Sequence, residues 1–295
     1  MRVNPNPMPD LLAALNQTEL EAQQAELQIS SGKSVNEPSD NPSAAAQLVE
    51  NNDQATFNSG YLQSLSAVQG ELSTADSTLS SVTTALQQAI SLGVEGANGT
   101  LSDGDRSAIA SQLQGIQSQL LSLANTSYEG HFVFAGTNTS TAPYVVDSAS
   151  PSGVQYAGNA GVNEVPIGSG YKVAVNVPGS QLFSAPGNDV FLAINSLIQA
   201  MQTNTGIPAA FNAVSAASSY LSSQRVFYGS AMEQATSQTT YLNAAKLQLS
   251  QQQTTLGGAD MAAAATNLSQ AQTDTQAALA AISKMAQNNL FNYLT

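Results

Sequence analysis

Apolar and small residues recur in alternating steps of four and three along two long stretches of the chain. The first stripe contains Tyr61, Leu65, Val68, Leu72, Ala75, Leu79, Val82, Leu86 and Ala89. The second contains Val214, Ala217, Leu221, Tyr228, Ala235, Leu242, Leu249 and Leu256. This alternation keeps one side of a helix against a partner helix, as in supercoiled helices. The pattern predicts that distant segments lie side by side in a long helical rod, which favours a structural protein over an enzyme.

Both ends of the chain carry weaker stripes with the same spacing. The N-terminal stripe contains Leu11, Leu15, Thr18, Ala22, Ala25 and Ile29. The C-terminal stripe contains Met261, Ala264, Leu268, Ala271, Thr275, Ala278, Ile282 and Met285. Because many of these residues are alanine or threonine, and because isolated helices of this length are marginal in water, each stripe is expected to need a partner.

Turn and capping residues divide the helices. Gly32 is a stop signal for the first helix, and Pro38 favours an extended or turned backbone before it. Asn41 places a capping side chain next to Pro42, a residue favoured at the first helical position. The long helix that begins there is predicted to end near residues 93–96.

A third helix and a β-rich segment follow. The sequence Ser102-Asp103-Gly104-Asp105 resembles a capping box, and the helix after it is predicted to end near Asn125. Residues 131–134, 144–146 and 153–156 are predicted to be short strands between Gly, Pro and Asn turns. Over residues 171–177, valines alternate with Lys172, Ala174 and Asn176, which predicts a half-buried strand with one wet face. Helical spacing resumes at Phe191, Ile194, Leu197, Ile198 and Met201.

The predicted fold is therefore mainly α, a long helical or coiled-coil rod formed by the N- and C-terminal segments, with a smaller β-rich outer domain inserted in the middle. Residues 1–40 and 258–295 are predicted to form terminal coiled-coil assembly segments. Residues 41–127 and 189–257 form the helical rod, and residues 128–188 form the β-rich outer domain.

Composition and charge limit the classes of partner. Only 9% of the 295 residues are charged, the formal net charge is −13, and the seven Lys and Arg residues occur singly. Without a basic cluster the chain cannot neutralise phosphates, so nucleic acid and anionic membranes are excluded as partners. Faces of Gln, Ser, Thr, Asn and Ala suit either packing against copies of the same chain or an ordinary solvated surface.

The sequence gives little support for a catalytic or metal-binding site. The chain has no cysteine and one histidine, His131, so a thiolate nucleophile and a two-histidine metal site are both excluded. Asp103-Gly104-Asp105 lacks the EF-hand order and is better explained as a helix cap. No G-x-S-x-G elbow accompanies His131, and Gly168-Ser169-Gly170 lacks the lysine of a phosphate loop. We predict no catalytic residue, no metal and no cofactor.

Several sequence motifs resemble the flagellin superfamily. They are Ser31-Gly32-Lys33 with Pro38-Ser39-Asp40-Asn41-Pro42, then residues 98–106 (NGTLSDGDR), 119–126 (QLLSLANT) and 132–137 (FVFAGT). Ser34 stands where an arginine is common. Their order, and the closing residues 289–294 (NLFNYL), are most similar to the members that join hook to filament. The resemblance is strong through about residue 143 and over roughly the last forty residues.

The resemblance implies a structural component of the bacterial flagellum that joins hook to filament and on which flagellin assembles. It implies four kinds of partner: copies of itself in a ring, hook-associated protein 1 on the hook side, flagellin on the filament side, and a cytoplasmic export chaperone. Because the N-terminus lacks the apolar core of a Sec signal, secretion by the flagellar type III route is expected.

The resemblance also implies which residues mediate assembly. Terminal segments pair as a coiled coil in such proteins, which corresponds here to Leu11–Ile29 with Met261–Met285. The predicted assembly interface contains Leu11, Leu15, Ala22, Ile29, Leu268, Ala271, Leu279 and Ile282. Three alternatives stay open: a filament-forming flagellin, a secreted enzyme on a helical stalk, and a monomeric bundle whose stripes are simply its core.

Overall fold

The computed structural model describes residues 8–291, and it is mainly helical. Its helices are α1 (Met8–Ser31), α2 (Pro42–Gly96), α3 (Asp103–Ala124), α4 (Gly179–Leu182), α5 (Val190–Thr203), α6 (Ile207–Gly257) and α7 (Met261–Phe291). Its strands are β1 (Ser127–Tyr128), β2 (His131–Phe132), β3 (Tyr144–Val146), β4 (Val154–Tyr156), β5 (Glu164–Gly168) and β6 (Tyr171–Ala174). The predicted fold class, long helices with a small β-rich insertion, is confirmed.

The chain divides into two compact units. Unit 1 comprises the described parts of Met1–Phe57 and Ala244–Thr295, and unit 2 comprises Asn58–Asn243. The domain limits predicted at 40/41 and 257/258 fall in the segments between α1 and α2 and between α6 and α7, whereas the compact units divide at 57/58 and 243/244. That these limits separate functional domains stays a prediction.

The core of unit 2 is built on the apolar stripe of α2. Its members Leu65, Leu72, Leu79 and Leu86 are completely buried. They belong to one cluster with Val214, Ala217, Leu221, Tyr228 and Ala235 of α6 and with Ile109, Leu113, Ile116 and Leu120 of α3. Each buried leucine stabilises the fold by about 1.5–3 kcal/mol relative to exposure. The predicted packing of distant helical segments is therefore confirmed within unit 2.

Polar contacts fix the helices of unit 2 in place. The Arg225 guanidinium donates two hydrogen bonds to the Asp76 carboxylate, over 2.8 and 3.0 Å, and so joins α6 to α2. At the start of α3, the Asp105 backbone N–H donates to Ser102 Oγ and the Ser102 N–H donates to the Asp105 carboxylate. The Ser102 hydroxyl also donates to the Asp105 carboxylate at 2.7 Å, and this bond, together with the one from the Ser102 N–H, lowers the pKa of Asp105. This arrangement is the predicted capping box.

The β-rich part consists of three separate antiparallel hairpins, in which β1 pairs with β2, β3 with β4 and β5 with β6. The strand predicted over residues 131–134 is shorter, because β2 ends at Phe132. Val133 and Phe134 continue into the core instead. The Phe134 ring meets Phe183 edge-to-face at 5.2 Å, so packing within the core of unit 2 replaces further strand pairing at this point.

The prediction of a wet strand face through Asn176 is wrong. β6 ends at Ala174, and Asn176 is only 1% exposed. Its amide nitrogen donates to the carbonyls of Gly136 and Gly161, and its Oδ1 accepts from the Asn163 N–H at 2.7 Å. A buried amide that satisfies three backbone groups is a structural residue, and period-two spacing cannot distinguish it from an exposed one.

We therefore expect Asn176→Ala to destabilise unit 2 by about 1–3 kcal/mol, because three buried backbone groups lose their partner. Chemical denaturation followed by circular dichroism measures this loss. Lys172→Ala is the control, since its ammonium lies 3.7 Å from Glu164 in an exposed pair that contributes little. Equal midpoints for the two variants would contradict the structural role given to Asn176.

Candidate assembly interface

α1 and α7 pack along one another in unit 1, and we call the contact between them the terminal seam. Among the seam side chains whose burial the structure describes, only small ones are fully covered: Ala25 on α1, and Ala264 and Ala271 on α7. The larger seam residues are half-buried, namely Leu11, Leu15, Ile29, Leu268, Ile282 and Met285. The terminal seam therefore excludes much less water than the core of unit 2.

Most of the predicted assembly residues lie within this seam. Ala271 is buried, and Leu11, Leu15, Ala22, Ile29, Leu268 and Ile282 are half-buried on the facing sides of the two helices. Leu279 differs, because 51% of its surface is exposed. It lies three residues before Ile282, to the side of the stripe, so spacing alone groups two residues whose surroundings differ. The use of any of them in assembly stays a prediction.

A hydroxyl pair interrupts the apolar seam. Thr275 Oγ1 lies 3.2 Å from Thr18 Oγ1 on the opposite helix. The Thr18 hydroxyl also lies 2.9 Å from the Leu15 carbonyl, and the Thr275 hydroxyl 2.8 Å from the Ala271 carbonyl. Both hydroxyls are thus satisfied locally, and their contact makes the seam polar on both sides at this point.

α1 has a second apolar face, which the sequence pattern missed. Leu12, Leu20 and Leu27 are exposed by 48, 55 and 52%. At 3.6 residues per turn, Leu20 and Leu27 lie on the side opposite the seam, and Leu12 lies on the flank, about 100° from the seam centre. We call these three residues the outer stripe. The repeat of leucine near every second turn was the signal that could have revealed it.

Charge is distributed unevenly around these helices. α1 carries Glu19, Glu21 and Glu26 on exposed positions. In the described part of the chain, each basic residue of unit 2 has an acidic partner: Arg106 with Asp103, Lys172 with Glu164, and Arg225 with Asp76.

Catalytic candidates gain no support from the geometry. His131 is exposed on β2, with Nδ1 3.4 Å from the Thr139 hydroxyl. Asp103 binds the Arg106 guanidinium at 2.7 Å, and Asp105 caps α3. Among residues 8–291, no group of three His, Cys, Asp or Glu side chains is arranged to hold a metal ion. Within the same range, no helix has the length and apolarity needed to cross a membrane.

Two regions of the sequence match family profiles. Residues 7–139 match the bacterial flagellin N-terminal helical region, and residues 211–294 match the bacterial flagellin C-terminal helical region. The two spans contain the long stripes, the capping box and both helices of the terminal seam. Together they cover well over half of the chain, and the protein belongs to the flagellin family.

Relatives within the family are more specific. The chain is 34% identical over 190 residues to flagellar hook-associated protein 3 of Escherichia coli, and 36% identical over 190 residues to its namesake in Salmonella typhimurium. Each alignment covers 60% of this chain and 58% of the relative. The flagellar junction protein of Legionella pneumophila has a similar fold, with a TM-score of 0.62 at 13% identity over 72% of this chain and 100% of that one.

The weak seam leads to a test that separates Ile282 from Leu279. We expect Ile282→Asp to speed amide hydrogen exchange in α1 by about tenfold or more, because a carboxylate would enter the seam and separate the helices. Leu279→Asp should leave exchange in α1 nearly unchanged, since Leu279 is already exposed. Mass spectrometry of peptides from residues 8–31 measures both variants. If the amides of α1 were protected as well in Ile282→Asp as in Leu279→Asp, the order of α1 would not depend on the seam.

Proposed function

We propose that this chain is the junction protein of the bacterial flagellum, the structural element between hook and filament on which flagellin assembles. Family membership and the names of the relatives support this role. The chain spans 58% of the length of the curated relatives that it matches, so the role of the whole relative is carried over as a proposal. The protein would have no chemistry of its own.

The outer stripe is the observation that carries the proposal. α1 is apolar on two opposite faces, and α7 covers only one of them. A helix that is apolar on both sides is typical of a buried helix, whereas Leu12, Leu20 and Leu27 are about half exposed in the single chain. A neighbouring copy of the same chain would cover them and complete the burial.

Electrostatics favour an apolar contact of this kind. Each copy carries a formal charge of −13, so two copies repel at long range and only short-range burial can hold them together. The outer stripe itself contains no charge, although Glu19, Glu21 and Glu26 flank Leu20 and Leu27. Salt should therefore strengthen association, by screening repulsion without weakening the apolar contact.

The proposed neighbours follow from the junction role. They are copies of the chain in a ring, hook-associated protein 1 on the hook side and flagellin on the filament side. A cytoplasmic chaperone would accompany the chain before export, and the type III route would deliver it to the flagellum. The terminal helices of unit 1 are the assembly segments in this proposal, and unit 2 supplies the stable body of each copy.

We expect Leu20→Asp to abolish swimming in a deletion strain that depends on the plasmid-borne protein. A carboxylate buried without a partner between copies costs several kcal/mol, which would weaken association on the order of a hundredfold or more. Melting of the purified variant should not change, because Leu20 is exposed in the single chain. Electron microscopy should find hooks without filaments, and flagellin should appear in the medium.

Val226→Asp is the matched control, because it makes the same apolar-to-acid change at a valine of α6 that is 71% exposed in unit 2. It should swim like the wild type. Normal swimming by the Leu20→Asp strain would exclude the outer stripe as a contact. Filaments on the deletion strain itself would exclude the junction role. Long fibres formed by the purified chain alone would favour a filament-forming flagellin instead.

A further inference from the structure

We propose that a backbone clasp at the base of α1 and α7, together with the Thr18–Thr275 hydroxyl pair, fixes the register of the terminal seam. These groups are positioning residues: they decide which residues of the two helices face each other. The inference concerns the single chain, and it holds or fails independently of the junction role.

The seam itself specifies register poorly. Its fully buried positions are Ala25, Ala264 and Ala271, which are small and nearly interchangeable as knobs. The C-terminal stripe has Ala or Thr at four of its eight positions, so a shift of one heptad would again place Ala22 opposite an alanine, Ala264 or Ala278. Such a shift moves one helix by about 10 Å at 1.5 Å per residue. Something other than apolar packing must distinguish the two arrangements.

The clasp joins the end of α1 to the segment between α6 and α7. The Ser34 N–H donates to the Gly257 carbonyl at 2.8 Å, and the Ala259 N–H donates to the Gly32 carbonyl at 3.0 Å. These bonds form an isolated antiparallel bridge between Lys33 and Gly258. The end of α1 is thereby held against the α6–α7 junction by backbone groups, which are insensitive to side-chain repetition in the helices.

Glycines and a hydrogen-bonded turn make the clasp possible. Gly32 adopts φ +68°, a left-handed conformation that ends α1 and turns its carbonyl toward Ala259. A side chain on Gly257 would reach within 3.1 Å of Leu48 Cδ1, so this position is held close to α2. On the other side, the Asn36 side-chain amide donates to the Lys33 carbonyl at 3.0 Å. The bridging residues are therefore held on both sides.

The hydroxyl pair supplies a second fixed point along the helices. Thr18 lies 15 residues before Lys33, and Thr275 lies 17 residues after Gly258, so both points belong to one alignment. A heptad shift would place the Thr18 hydroxyl opposite Leu268 or Ile282 and remove its polar contact. A polar residue at one position of an otherwise apolar seam is a known means of specifying register.

Disulfide formation between two introduced cysteines reports which residues of α1 and α7 face each other. The natural chain has no cysteine, so no other disulfide can form within it. The variant Thr18→Cys/Thr275→Cys tests the observed alignment, and Thr18→Cys/Ile282→Cys tests a shift of one heptad on the same face. Both are made in the full-length chain and oxidised while dilute and monomeric. We expect the first pair to cross-link at least about tenfold faster, because disulfides require a Cα separation below about 7 Å.

Two variants then remove the clasp from opposite sides. Ser34→Pro deletes the N–H that binds the Gly257 carbonyl, and Ser34→Ala is its control because it keeps that N–H. Gly258→Ala brings a Cβ against the Thr254 carbonyl oxygen. With the clasp disrupted, the ratio of the two cross-linking rates should fall to about threefold or less, whereas Ser34→Ala should preserve it. Melting of unit 2 is followed in each variant, and it should not change.

The outcomes are decisive in both directions. Equal cross-linking of the two cysteine pairs in the otherwise natural chain would overturn the proposed register. A ratio that survives either Ser34→Pro or Gly258→Ala would overturn the role of the clasp. Loss of the ratio in both variants, with the unit 2 melting curve unchanged, would establish that the backbone bridge positions the terminal helices.

Discussion

The stability of this protein depends on the burial of one periodic stripe on α2. Between Leu65 and Ala89, nearly every third or fourth residue is completely removed from water. Helices α3 and α6 pack on the same stripe, and Val133, Val154 and Val173 of the β-rich region belong to the same cluster. Because the hairpins are only two strands wide, they could not be stable without this surface. The helical core therefore organises the β-rich region, rather than the reverse.

Unit 1 has the same spacing but smaller side chains, so its helix contact contributes less to stability. An alanine at a seam position buries far less apolar area than a leucine, so the α1–α7 contact offsets little of the entropy lost when two helices are ordered. In the same helix, leucines at positions 12, 20 and 27 face water. The apolar surface that could have strengthened the contact within the chain is thus placed on the opposite side, where it is available to another molecule.

The helical part of the fold could be predicted because its signals are local and periodic. The stripe of α2, the capping box at Ser102 and the start of α2 at Pro42 each depend on residues within one or two turns. The β-rich part could not be predicted to the same depth. Asn176 is polar, yet it is buried because backbone groups from two distant loops converge on its amide. That convergence leaves no trace in a short window of sequence.

The assembly residues show a subtler limit of periodic patterns. A four–three stripe identifies the face that a helix buries within its own chain. For α1, that face is turned toward α7. The exposed Leu20 and Leu27 lie on the other side, where the proposed contact with another copy is formed. Such residues follow no rule of intramolecular packing, so they are visible only once the first face is occupied. In the assembly proposed here, α1 uses both stripes: the first packs against α7, and the second, which is the weaker pattern in the sequence, meets another copy.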